Sequence, residues 1–182
     1  MRFFLAQKKG VWQQIHARLK KKVRLGEGRT EIATAAIIDS PQALHGGKKI
    51  KGRKRHLLVD TMGLVVLIIV HAANIADVTA SRMLPLKNQF EPNEYSTNLG
   101  FPSDIEAQNY NELLSCCQLN FEVVKRQSKQ FKIFPRQWVV ERTFALIAKQ
   151  RRLSKDYERL PEVSETAIYI AMIRLMLNRL AA

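Results

Sequence analysis

Residues 56–70, HLLVDTMGLVVLIIV, hold two apolar runs separated by Thr61-Met62-Gly63. A link that short joins neighbouring antiparallel strands, because a parallel pair needs a crossover of a dozen residues or more. The second run is apolar at every position from Leu64 to Val70, which predicts a strand covered on both faces. Just upstream, residues 34–39 (TAAIID) form a shorter apolar run that ends on a carboxylate and is closed by Ser40-Pro41. Three strands in succession, followed by helical patterns, predict an α/β chain.

Working outward, residues 12–23 carry helical spacing, with Trp12, Ile15, Leu19 and Val23 on one face. The opposite face is basic, with Arg18, Lys20, Lys21, Lys22 and Arg24, before Gly26 and Gly28 break the pattern. Residues 76–84 read as a modest helix stopped by Pro85. From 86 to 111 no period holds, because Pro, Asn, Ser and Gly punctuate the stretch. Residues 121–124 predict a strand, 137–153 a helix, and 161–180 a second helix with Ile168, Ala171, Met172 and Leu175 as its stripe. The expected organisation is a basic helical segment (1–30) ahead of one α/β domain (31–182), poorly defined between 86 and 111.

The 182 residues are 46% hydrophobic and 25% charged, which suits a globular chain. Lysine and arginine number 30 against 16 acidic residues, a formal charge of +14. Such an excess points to a polyanionic partner, nucleic acid before a membrane surface. No apolar run is long enough to span a bilayer, and no segment has the pattern of a secretory leader. Two adjacent cysteines, Cys116 and Cys117, neither staple the chain nor form a zinc motif, so a cytoplasmic setting is expected.

Two carboxylates sit where chemistry is plausible. Asp39 ends a predicted strand, at a sheet rim where ligands bind, and equally suits a turn residue before Ser40-Pro41. Glu141 falls early in a predicted helix, sharing a face with Ala145, Ala148 and Arg152; it equally complements the helix dipole. Between 48 and 55 six of eight residues are basic: Lys48, Lys49, Lys51, Arg53, Lys54 and Arg55. That density favours phosphate contact over a solvated loop. Lys149, Arg151 and Arg152 form a second basic cluster. His16, His45, His56 and His71 lack metal-ligand spacing and are expected to be structural or exposed. Trp12 and Trp138 are expected to pack.

Taken together these segments resemble the DDE transposases of small bacterial insertion sequences. The resemblance runs through WQQIHARLKKK (12–22), AIIDS (36–40), GKKIKGRKRHLLVDTMGLVVLIIV (47–70), HAANIAD (71–77) and FEVVKR (121–126). It ends with WVVERTFALIAKQRRLSKDYERLPEVSETAIYIAMIRLMLNR (138–179). It implies a ribonuclease H-like core, a mixed sheet opening with three antiparallel strands and helices packed on it. It implies strand cleavage and transfer on double-stranded DNA at the terminal inverted repeats, by a homodimer on paired ends in the nucleoid. Three carboxylates would hold two magnesium ions. The first is Asp39 and the last Glu141. Counting back from 121–126 places the second at Asp104.

Asp104 lacks the glycine pair that normally follows the second aspartate, and no strand is predicted before it. The sheet would then be short of a member, with an exposed edge. The loop after Asp39 is shortened, Gln137 stands where a basic residue is usual, and the N-terminal helical region of the family is not seen. These departures predict a truncated copy with impaired activity; the other expectation is a DNA-binding remnant without catalysis.

Overall fold

A computed structural model of the chain describes residues 10–39, 52–75, 95–101, 120–123 and 137–181; for 38–39, 95–101 and 120–123 it describes the backbone only. In chain order the elements are α1 (Val11–Gly26), β1 (Ala33–Asp39), β2 (Arg53–Asp60), β3 (Val65–Ala72), β4 (Tyr95–Phe101), β5 (Asn120–Val123), α2 (Gln137–Ala148) and α3 (Pro161–Leu180). The expected helix at 76–84 lies outside the described residues.

The five strands form one sheet in the order β3-β2-β1-β4-β5. β1, β2 and β3 pair antiparallel, as the hairpin reading requires. β4 joins β1 in parallel, and β5 joins β4 in parallel. The sheet is therefore mixed and opens with three antiparallel strands. Leu57, Val59, Val65 and Ile68 are fully buried and give β2 and β3 their core. Burying a side chain of this size contributes about 1.5–3 kcal/mol.

Two expectations are corrected here. No strand was expected between 86 and 111, and the sheet was expected to lack a member; β4 occupies 95–101, flanked by β1 and β5. Its sequence, YSTNLGF, places Ser, Asn and Gly at alternate positions, and these turn-formers hide Tyr, Thr, Leu and Phe at the others. The helix expected over 137–153 ends at Ala148. Beyond it Leu153 is buried and closes a turn, its amide donating to the Gln150 carbonyl at 2.8 Å.

The chain divides into two compact units, Met1–Ile32 with Ala145–Ala182, and Ala33–Phe144. In the first, α1 packs on α3. The buried face of α1 is not the expected apolar one: His16, Lys20, Val23 and Arg24 are inside, while Ile15 is exposed. Arg24 is accommodated because its guanidinium donates to the carbonyls of Thr30 (2.8 Å) and Ile32 (3.3 Å). The helix closes in a Schellman motif, with the amides of Gly28 and Arg29 reaching the carbonyls of Leu25 and Arg24; Gly28 takes φ +68°.

His16 meets Tyr169 of α3 edge to face, with ring centroids 5.1 Å apart. Burial, and secondarily Lys20, lowers its pKa to about 3. His16 is therefore neutral in the fold and protonated in the unfolded chain below about pH 6.5. Its contribution is complete above that pH and is lost as pH falls, at about 1.4 kcal/mol per pH unit. His16→Phe keeps the ring contact and removes the proton site. It should flatten the fall in urea midpoint between about pH 6 and pH 4.5; an unchanged acid limb would show that other groups set it.

Candidate functional site

Asp39 is the last residue of β1, the central strand of the sheet, and its backbone pairs with Leu57. Its side chain lies outside the described residues, as does all of Asp104. β1 and β4 run parallel, with Ile37 opposite Gly100, so both strands end at the same side of the sheet. Asp104 follows the last residue of β4, Phe101, by three positions in sequence.

Glu141 stands on α2 with its side chain exposed. Around it the helix is fixed to the β2–β3 hairpin by its neighbours. Val139, Val140, Thr143 and Ile147 are buried. Thr143 Oγ1 donates to the Gly63 carbonyl at 3.0 Å, and Arg142 Nη2 to the Met62 carbonyl at 3.2 Å. Trp138 is 40% exposed and does not pack as expected; Arg142 lies over its ring at 4.5 Å, a cation–π contact. The hairpin that receives the helix is itself rigid. Asp60 is fully buried, and its Oδ1 accepts the amides of Met62 (2.9 Å) and Leu64 (2.8 Å). Arg142 and Thr143 thus position Glu141, a role that spacing did not suggest. The signal was legible only in part: ERTF sets two hydrogen-bonding side chains directly after the carboxylate.

Register relates Glu141 to Asp39 only through the sheet. Asp60, at the hairpin, pairs with Ala36, three residues or about 10 Å of strand before Asp39. Among the described residues no group of three His, Cys, Asp or Glu is placed to hold a metal ion.

Of the expected basic contacts, Lys48, Lys49 and Lys51 lie outside the described residues. Arg53, Lys54 and Arg55 are half-buried and belong to β2, where a loop was expected. Lys54 Nζ donates to the Ile75 carbonyl at 3.2 Å. Lys149 and Arg151 are exposed after α2. Arg152 does not share a helical face with Glu141, since the helix ends before it. Its guanidinium instead binds Glu158, Nε and Nη2 each at 2.8 Å. His16, His56 and His71 are buried, and the rings of His56 and His71 stack at 4.7 Å; His45 lies outside the described residues.

Comparison with known proteins follows the same division of the chain. A family model described as "Transposase DDE domain" matches residues 29–102, covering β1 through β4. A second model of the same description matches 110–178, covering β5, α2 and most of α3. The chain belongs to the DDE transposase family. No curated protein matches it. Among solved structures, a chain of the simian T-cell lymphotropic virus intasome in complex with PP2A regulatory subunit B56 gamma is similar at TM-score 0.50 and 14% identity. The match covers 78% of this transposase-family chain and 47% of that one. This chain therefore spans about half the length of that relative. The catalytic core domain of BIV integrase is matched at TM-score 0.49 and 14% identity, over 79% of this chain and 83% of that one. The shared fold is ribonuclease H-like, as the strand order indicates. Among the described residues no helix is long and apolar enough to cross a membrane.

Proposed function

We propose that this chain catalyses metal-dependent cleavage and transfer of DNA strands for a bacterial insertion sequence, with reduced activity. Asp39, Asp104 and Glu141 would be its three carboxylates. One observation carries this reading. β1 and β4 are parallel neighbours, so the chain enters the segment bearing Asp104 from the same end of the sheet at which Asp39 stands. The family matches cover both strands and the helix of Glu141.

The donor set suits magnesium, which takes hard oxygen ligands, commonly one or two carboxylates with substrate phosphates. When bound, two such ions stabilise the entering and leaving oxygens of an in-line displacement. The protein's own part is positional. β1 presents Asp39 at the sheet rim, and the hairpin holds α2 so that Glu141 stays in one place. The partner in this reading is double-stranded DNA at the terminal inverted repeats, engaged by a homodimer in the cytoplasm or nucleoid. Reduced activity is inferred from Gln137 in place of a basic residue, and from the missing glycine pair after Asp104.

Labelled duplexes carrying the element's ends test this. Asp39→Asn and Asp104→Asn should each abolish nicking in magnesium while duplex binding persists. Nicking that survives Asp104→Asn would remove that residue from the site. Binding by the wild type with no nicking at all would leave a DNA-binding remnant.

A further inference from the structure

Outside the carboxylate site, the unit formed by the chain's two ends carries a cleft of about 640 Å³. The turn after α2 contributes Lys149, Gln150 and Arg151 to it, and the last turns of α3 contribute Arg174, Asn178 and Arg179. Four cations converge there, and among the described residues no carboxylate lines the cleft. Elsewhere in this unit exposed cations are matched: Arg152 with Glu158 at 2.8 Å, and Lys21 with Glu31 at 3.3 Å. A cation in a last helical turn complements the helix dipole, which accounts for Arg179. It does not account for Arg174, more than a turn earlier, or for two further cations on another segment.

The turn is built to hold its place. The amides of Leu153 and Ser154 both donate to the Gln150 carbonyl, and Ser154 Oγ donates to the Arg151 carbonyl at 3.0 Å. Leu153 anchors the turn from inside. Lys149, Arg151 and Arg174 remain exposed. Like charges held together on a fixed frame repel, and an anion relieves that repulsion.

The lining also indicates which anion. Guanidinium and ammonium groups suit phosphate oxygens, and the amides of Gln150 and Asn178 add neutral donors. Apart from Leu175 the lining offers no apolar surface, and it has no aromatic ring on which a base could stack. We propose that this cleft grips the sugar-phosphate backbone of duplex DNA without reading its sequence, as phosphate contacts do. The proposal rests on the DNA-acting reading above and adds a binding surface outside the unit that carries Asp39 and Glu141.

The test measures duplex affinity of the full chain against salt, on a random-sequence duplex. Arg174→Gln with Arg179→Gln should weaken binding and flatten the slope of log K against log salt by about 1.8, the value for two phosphate contacts. Lys155→Gln, an exposed cation of the same unit that does not line the cleft, should leave the slope in place. If the α3 variant unfolds by circular dichroism, Lys149→Gln with Arg151→Gln on the turn makes the same prediction. A wild-type chain that binds duplex with an unchanged slope in these variants overturns the cleft and leaves the transposase reading standing. Preferential loss of single-stranded RNA binding in these variants would also overturn it. A wild-type chain with no salt-sensitive duplex binding overturns both.

Discussion

Glu141→Gln should abolish magnesium-dependent strand cleavage and leave both stability and duplex affinity close to wild type. The side chain is exposed, so the substitution buries no polar group and opens no cavity. The contacts that seat α2 belong to Val139, Val140, Arg142 and Thr143, and all remain. What changes is one negative oxygen donor, replaced by a neutral amide of the same shape. Losing even the outer partners of a metal ligand typically costs 10–100-fold, so losing the ligand itself should cost at least about 10²-fold in rate. Single-turnover cleavage of a labelled duplex reads the rate, and urea unfolding reads the stability. If Glu141 merely complemented the helix dipole, the variant would lose a few tenths of a kcal/mol and keep its activity.

Gly63→Ala is expected to be the most damaging small substitution in the hairpin. Gly63 has φ +77°, in the left-handed region, where an L side chain costs about 1–2 kcal/mol. A Cβ there would also lie 2.9 Å from Thr143 Oγ1 and 3.3 Å from Arg142 Nη2. These are the two groups that tie α2 to the hairpin, so the added methyl must push on the segment carrying Glu141. The expected loss is about 2–3 kcal/mol, once the overlap is added to the backbone term. The double variant Gly63→Ala with Thr143→Ala separates the two causes. It removes the nearest overlapping atom and the hydroxyl's bond to the Gly63 carbonyl, leaving the backbone cost. A double-mutant cycle should therefore show coupling between the two sites, of order 0.5–3 kcal/mol. Additive losses would mean that Gly63 acts through its backbone alone and that the hydroxyl contact does not hold the helix.

Residues 56–70 were legible because both physical signals agree there: continuous apolar side chains and a linker too short for a crossover. β4 was not, because Ser96, Asn98 and Gly100 are turn-formers by composition while the strand is set by pairing on both sides. The buried face of α1 was misread for a related reason. Hydrophobicity marks Ile15 as interior and Lys20 and Arg24 as exterior, yet Arg24 is satisfied inside by two carbonyls that lie six and eight residues on. No local pattern shows such partners. For the site, residue type and family resemblance pointed to Asp39 and Glu141. The anchoring by Arg142 and Thr143, and the convergence of Arg174 and Arg179 with the turn after α2, depend on tertiary contacts between segments far apart in sequence.

The central claim is that three carboxylates on this sheet and helix direct metal-dependent chemistry on DNA. Single-turnover incubation of the wild-type chain with a labelled terminal-repeat duplex, in magnesium and then with excess chelator, tests it most directly. The account predicts slow nicking in magnesium and none with chelator. Nicking that persists with chelator, or duplex bound without any nicking in magnesium, would contradict it.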